Sequence, residues 1–222
     1  MSPSFYILHL ISALVILPPA INRNPAGSPW INIVDKQQIQ QAAECLKQGG
    51  VIAYPTEAVW GLGCDPHNRQ ALERLLALKS RDPAKGVILI AASYEQVRPY
   101  MAESQLDALS HEKLQQLTRS WPGPNTWLVP TSDKVPGLVR GQHPLVAVRV
   151  TAHPLVQALC HAFGGPIVST SANPAGEAPA LNKETIHSYF ADQLDFILEG
   201  ELGGLGQPST IRHLLTGETV RP

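Results

Sequence analysis

Charge is scarce in this chain and has no net sign. Asp, Glu, Lys and Arg make up 16% of the 222 residues, and 17 Lys and Arg against 18 Asp and Glu leave a formal net charge of -1. That balance excludes a disordered acidic or basic chain. It also excludes a protein whose whole surface grips nucleic acid, because such domains are strongly basic. A local basic groove stays open. Cysteine is equally sparse. Cys45, Cys64 and Cys160 lie far apart, with no CxxC pair, which excludes a disulfide scaffold and suits a reduced compartment.

Familiar site signatures are missing too. Without GxxxxGK[ST] there is no P-loop, and Gly61-Leu62-Gly63 is a lone GxG without its third glycine. HExxH is absent, and His153 and His161 have no third ligand nearby, which disfavours a structural zinc site. GxSxG is absent, so a hydrolase elbow has no support. Ser169 or Ser171 with His153 or His161 would make a nucleophile pair. Histidines on a helix surface or in a satisfied core are the favoured reading.

Long hydrophobic runs are limited to one. Phe5 to Leu17 reads FYILHLISALVIL before Pro18-Pro19, too short to span a bilayer core of about 30 Å as a helix. No Lys or Arg precedes Arg23 and no clear cleavage site follows, unlike a secretory signal. NRNPAGSP then reads as a linker. Residues 1–29 are therefore an appendage outside the fold. An upstream start not used by the cell is the first reading, with a membrane-seeking tail or a divergent export signal as alternatives.

What remains, residues 30–222, is long enough for a real core, and 44% of the chain is apolar. Asp35 with Gln38 forms a capping-box pattern ahead of Ile39, Ala42, Ala43 and Leu46, with Gly49-Gly50 as the stop. VIAYP (51–55) is a buried strand. Asp65-Pro66 opens a helix whose apolar face is Ala71, Leu72, Leu75, Leu76 and Leu78. Val87 to Ala92 is a strand, and Ser93 with Gln96 makes a second capping box before a short helix ending near Pro99. Residues 103–119 are helical. Strands follow at Thr126–Thr131 and Leu145–Val150, then a helix from Pro154 to Gly164-Gly165. The strand 166–170 runs into SAN. A helix at Lys183–Phe190 and short strands at Phe196–Leu198 and Ser209–Ile211 complete the pattern. The fold class is α/β, one domain around a mixed, twisted sheet flanked by helices, and not a clean doubly wound fold.

Polar loops placed just after apolar strands are where such sheets bind ligands. Pro55-Thr56-Glu57 follows the first strand. Lys79-Ser80-Arg81-Asp82-Pro83 with Lys85 follows the second helix. Ser171-Ala172-Asn173 follows strand 166–170. Lys79 and Arg81 can reach one anion if the helix unwinds there, the guanidinium by a bidentate fork and the ammonium as a point charge. Taken alone they also fit capping of a helix macrodipole. Ser-x-Asn alone fits an Asx turn or a cap.

Taken together and in order, YPTEAVWGLGCD (54–65), LKSRDPAKGVILIAA (78–92), WPGPNTW (121–127), LVAVRVTAHPL (145–155) and STSANPAGE (169–177) resemble the YrdC/TsaC family of threonylcarbamoyl-AMP synthases, bacterial single-domain type. The likeness spans roughly 30–222. Asn125 stands where the family's WPGPxT is usually apolar, and Trp60 replaces a more usual Phe or Tyr.

The resemblance implies a single YrdC-like catalytic domain, α+β-like, with an open, positively charged concave site. It implies that L-threonine, bicarbonate or CO2, and ATP give L-threonylcarbamoyladenylate and pyrophosphate, feeding N6-threonylcarbamoylation of adenosine 37 in tRNA. It assigns Lys79 and Arg81 to catalysis and to ATP. Thr56, Arg149 and Ser209 go to threonine, and Ser169, Ser171, Asn173 and Arg221 to ATP. Mg2+ is expected to travel with ATP rather than in a protein cage. TsaB, TsaD and TsaE are implied as functional partners, with a weak tRNA contact, a cytoplasmic location and no membrane. The competing reading is a non-catalytic protein that binds double-stranded RNA or tRNA in ribosome maturation, using Lys79, Arg81, Lys85, Arg149 and Arg221. The charge balance and the lack of a known RNA-binding module speak against it.

Overall fold

The computed structural model describes residues 33–222. The appendage expected at 1–29, and the start of the domain at Trp30, lie outside the described residues. The order is α1 (Ile33–Lys47), β1 (Ile52–Pro55), β2 (Trp60–Gly63), α2 (Arg69–Leu78), β3 (Ile88–Ala91), α3 (Tyr94–Val97), α4 (Glu103–Asp107) and α5 (His111–Arg119). Then come β4 (Asn125–Pro130), α6 (Gly137–Arg140), β5 (Leu145–Val150), α7 (Pro154–Phe163), β6 (Ile167–Ser171), α8 (Lys183–Phe190), β7 (Phe196–Ile197), β8 (Thr210–His213) and β9 (Thr219–Arg221).

The strands form one nine-stranded sheet ordered β7-β1-β2-β6-β3-β5-β4-β8-β9. It is mixed: β1 with β7, β3 with β5 and β4 with β8 are parallel, and the other neighbours are antiparallel. The α/β mixed sheet expected from the sequence is what forms. β6 sits centrally, with Ser171 opposite Gly61 on β2 and Ser169 opposite Ile88 on β3. The end of β6 therefore lies between the two loops that the sequence singled out.

Burial follows the apolar spacing. Ile39, Ala42, Ala43 and Leu46 of α1 pack with Leu155, Val156, Leu159 and Cys160 of α7 over Ile52, Tyr54 and Ile90. A larger cluster includes Leu72, Leu75 and Leu76 of α2, Val146, Val148 and Val150 of β5, and Trp127. Each of those α2 leucines contributes roughly 1.5–3 kcal/mol by leaving water. β5 shows how the pattern aims side chains. Its three valines face the core, while Ala147 and Arg149, on the alternate positions, line a cavity. Among the described residues, no helix is long and apolar enough to cross a membrane.

Several local expectations give way to tertiary structure. Asp35 lies inside α1, which already includes Ile33, so it does not precede the helix as a cap. Asp65-Pro66 makes a turn in which Asp65 Oδ1 accepts from the His67 amide at 2.8 Å. The cap of α2 is Asn68, whose Oδ1 accepts from the Ala71 amide at 3.0 Å. Ser93 makes no capping bond, and Gln96 reaches back to the Ala92 amide instead. Residues 103–119 split into two helices, because Ser110 is extended and caps α5 through the Lys113 amide. Gly61-Leu62-Gly63, where the sequence suggests no strand, lies in strand β2. A Cβ at Gly63 would lie 2.6 Å from the Val168 carbonyl and 2.8 Å from the Tyr54 ring, so the glycine serves sheet packing. Asn125 is accommodated: its carbonyl accepts from Trp121 Nε1 at 2.7 Å, and its side chain donates to Ser120.

The segment after α2 is held by a backbone weld. Gly141 has φ +68, and a Cβ there would sit 2.3 Å from the Ala84 carbonyl and 2.6 Å from the Gly86 amide. Gln142 donates to the Ala84 carbonyl beside it. Gly141→Ala therefore adds a left-handed strain of about 1–3 kcal/mol to a contact that backbone alone would have to relieve. We expect a melting temperature several degrees lower by calorimetry. An unchanged value would contradict this close approach.

Candidate active site

Loops from several parts of the chain wall a cavity of about 660 Å³. Its wall is assembled from the β1–β2 turn, the segment after α2, the end of α6, β5, the end of β6, and residues 205–211 with β9. Distant loops thus converge on one space. Arg81, Lys85, Arg140, Arg149 and Arg221 line it, whereas Glu57 is its one carboxylate among the described residues. A chain with a net charge of -1 thus gathers five of its 17 Lys and Arg in one concavity, where low-dielectric walls focus the field.

Seven of the nine residues expected from the sequence face this cavity: Thr56, Arg81, Arg149, Ser169, Ser171, Ser209 and Arg221. Thr56 Oγ1 donates to the Val59 carbonyl at 2.6 Å, closing the turn after β1. Arg81 Nε donates to the Gly86 carbonyl at 3.1 Å, so the weld at Gly141 also steadies this guanidinium. Ser209 Oγ shares a 2.8 Å hydrogen bond with Thr126 Oγ1, and the Ser209 carbonyl accepts from Arg221 Nη2 at 2.8 Å.

Lys79 and Asn173 do not line the cavity. Lys79 is 4% exposed. Its ammonium donates to the carbonyls of Ser171 and Asn173, the latter at 2.7 Å. The expectation that Lys79 and Arg81 reach one anion is therefore not met in this structure. Ser80 between them is left-handed, φ 49, and the reversal sends one side chain behind the end of β6 and the other into the cavity. Lys79 acts here as a clamp on the 171–173 segment. Asn173 donates to the Pro174 and Glu177 carbonyls at 3.0 and 2.7 Å, fixing its own loop, and its Oδ1 is buried without a partner.

The electrostatics record an unneutralised positive site. Burial, then the charge of Arg81, pushes Lys79 down to about 8. Burial lowers Arg81. Desolvation at the cavity mouth, with the charges of Arg149 and Arg81, lowers Arg221. Arg221 thus meets the charges of Arg149 and Arg81 across the cavity, a condition that an anionic ligand relieves. Burial pushes the Glu57 carboxyl up, but Arg149 and hydrogen bonds from Thr151 and the Ala152 amide overcome it and hold the group below its ordinary value.

Glu57 is the residue that sequence reasoning passed over. The sequence pattern gives no role to the carboxylate of Pro55-Thr56-Glu57. That carboxylate lies 2.5 Å from Arg149 Nη2, both groups being nearly inaccessible. Nothing local marks that pairing, since Glu57 sits after β1 and Arg149 on β5. Arg140 and His143 also line the cavity, and no motif announced them. Among the described residues, no group of three or more His, Cys, Asp or Glu is placed to hold a metal ion.

Known proteins resemble this chain over most of its length. The Sua5_yciO_yrdC family model, described as telomere recombination, matches residues 44–222. A threonylcarbamoyl-AMP synthase of Chromohalobacter salexigens is 54% identical over 184 residues, covering 83% of this chain and 96% of that protein. One from Pseudomonas aeruginosa is 52% identical over 190 residues, covering 86% and 100%. Among solved structures, P. abyssi Sua5 complexed with L-threonine superposes with a TM-score of 0.75 at 29% identity. That match covers 83% of this chain and 53% of Sua5, so the chain spans about half of that longer protein. E. coli YciO gives a TM-score of 0.71 at 25% identity over 84% of this chain and 91% of its own.

Proposed function

The chain belongs to the Sua5, YciO and YrdC family, and from that premise we propose how its cavity carries out threonylcarbamoyl-AMP synthesis. The activity converts L-threonine, bicarbonate and ATP into L-threonylcarbamoyladenylate and pyrophosphate for tRNA modification. In our reading the threonine amine and bicarbonate form a carbamate with loss of water. A carbamate oxygen then attacks the α-phosphorus of ATP, and pyrophosphate leaves.

Positioning and charge stabilisation carry such a reaction, since the protein forms no covalent bond. Arg81 and Arg221 hold the phosphates, with Ser169 and Ser171 as hydroxyl donors from β6. Arg149 takes the threonine carboxylate, and Thr56 and Ser209 hydrogen-bond its polar groups. Lys79 and Asn173 act one step back by fixing the 171–173 segment. A site that satisfies the threonine hydroxyl rejects analogues that lack it, because its own polar groups would be left unpaired. Desolvation inside the cavity favours the neutral amine that carboxylation needs. Mg2+ belongs to the nucleotide in this reading: Glu57, the wall's carboxylate, is paired with Arg149, and the described residues offer no protein cage. We place the start of the catalytic unit near residue 30 and the protein in the cytoplasm. TsaB, TsaD and TsaE are then its functional partners, with a weak tRNA contact at the basic rim.

The observation that carries these assignments is the convergence of Arg81, Arg149 and Arg221 on one cavity beside Thr56 and Ser209. Pyrophosphate release from ATP should require threonine and bicarbonate together. Equal release without threonine would overturn the assignments. So would tight tRNA binding with a steep salt dependence and no turnover, which is the RNA-binding alternative.

A further inference from the structure

Arg149 carries five N–H donors on a flexible stem, yet it is 8% exposed in the cavity wall. Its one directed hydrogen bond runs from Nε to the Gly123 carbonyl at 3.3 Å. Nη2 is buried and lacks a directed hydrogen-bond partner, although it lies 2.5 Å from Glu57 Oε1. The contact is a close ion pair without the alignment of a hydrogen bond. Arg221 adds repulsion from the cavity side. What fixes the orientation of this fork is therefore charge, and Glu57 is the carboxylate that supplies it.

Glu57 is itself held through Oε1 and through its backbone. Its Oε1 accepts from Thr151 Oγ1 at 2.7 Å and from the Ala152 amide at 3.1 Å. Thr151 Oγ1 in turn accepts from the His153 amide at 3.0 Å. The Glu57 carbonyl accepts from the Leu205 amide at 2.9 Å, and the Thr56 carbonyl from Gly203 at 3.0 Å. A Cβ at Gly203 would stand 2.8 Å from the Glu57 Cα, so the backbones pack directly. Glu57 is thus a rigid post: its carboxylate joins the β1–β2 turn to the end of β5, and its backbone holds the segment that carries Leu205, Gln207 and Ser209 into the cavity. Its Oε2 is buried with no partner, a cost retained where the charge is needed.

We propose that Glu57 is a positioning residue that aligns the Arg149 guanidinium for the carboxylate of the amino-acid substrate, and so sets the threonine side of the site independently of the ATP side. This rests on the assignment of Arg149 to threonine. Glu57 touches no reacting atom. It acts through Arg149, whose misplacement by about 1 Å can cost on the order of a hundredfold.

The test compares wild type with Glu57→Gln, which keeps an acceptor for Thr151 and Ala152 but removes the charge. KM for threonine is expected to rise about ten- to a hundredfold, with KM for ATP within about twofold. The preference for threonine over threoninol, which lacks the carboxylate, should collapse by a similar factor. Where the glutamine variant does not fold, Glu57→Asp keeps the charge, withdraws it from Arg149, and should raise KM for threonine in the same sense. An unchanged KM and an unchanged threoninol ratio would overturn the proposal. Parallel losses for threonine and ATP with a lowered melting temperature would also overturn it, leaving a structural post only. A wild-type enzyme indifferent to threonine would overturn the underlying assignment as well, and that failure is visible before any variant is made.

Discussion

Arg81→Ala is expected to lower kcat/KM for ATP by about two to three orders of magnitude, the usual cost of removing a preorganised donor from a developing charge. Arg81 faces the cavity, is anchored by the Gly86 carbonyl, and is lowered by burial with no carboxylate beside it on the wall. Charge transferred to the leaving pyrophosphate has few other stabilisers of this geometry. Arg81→Lys keeps the charge but loses the fork and should recover only part of the rate. The side chain makes one hydrogen bond to the protein, so the melting temperature should hardly move. Steady-state pyrophosphate release with ATP varied is the measurement. A loss of less than about threefold would remove Arg81 from the reaction.

Lys79→Met should damage stability and rate together, which separates it from Arg81→Ala. Removing the ammonium takes the Lys79 donor from the Asn173 carbonyl, while the Ser171 carbonyl still accepts from the Asn173 amide at 3.1 Å, and an unsatisfied buried acceptor costs about 1–3 kcal/mol. The segment that presents Ser171 to the cavity then loses its clamp. The lysine also predicts a pH effect. In the unfolded chain its proton leaves near the ordinary 10.5, whereas burial brings the folded value to about 8. Between those limits the unfolded state holds more protons, so this residue makes stability rise with pH across the window and fall again as pH drops back through 8. The difference in unfolding free energy between wild type and Lys79→Met should therefore grow from about pH 8 to pH 10.5. A constant difference across that range would contradict the buried position of the ammonium.

How far the sequence reaches is seen best on β5 and α7. LVAVRV alternates, and the valines went to the core while Arg149 went to the cavity. Pro154 and Gly164 bound α7 because each acts on its own backbone. Signals of that local kind also placed α8 and most strands to within a residue or two. β2 was lost because two glycines suggest no strand when the neighbour they admit, the Tyr54 ring, is supplied by strand pairing. Asp65-Pro66 carried a genuine helix-start signal, yet Asn68 held the better-placed side chain for the cap.

The candidate site was legible as a set of loops and less so as an arrangement. Thr56, Arg81, Arg149, Ser169, Ser171, Ser209 and Arg221 meet at one cavity, which ordered motifs can foreshadow. The direction of Lys79 cannot be foreshadowed that way. It depends on a left-handed Ser80 and on carbonyls contributed by β6 and the loop after it. The pairing of Glu57 with Arg149 joins the turn after β1 to β5 and exists only once the sheet has formed. Partners that the fold brings together from afar leave no spacing to read.

In the proposed reaction one cavity joins an amino acid, a one-carbon acid and a nucleotide. Purified protein given isotopically labelled bicarbonate, L-threonine and ATP, with the products read at once by mass spectrometry, tests it most directly. An adenylate that contains threonine and carries the label is expected, and it should be absent when any substrate is omitted. AMP or pyrophosphate accumulating with no labelled threonine adduct would contradict it.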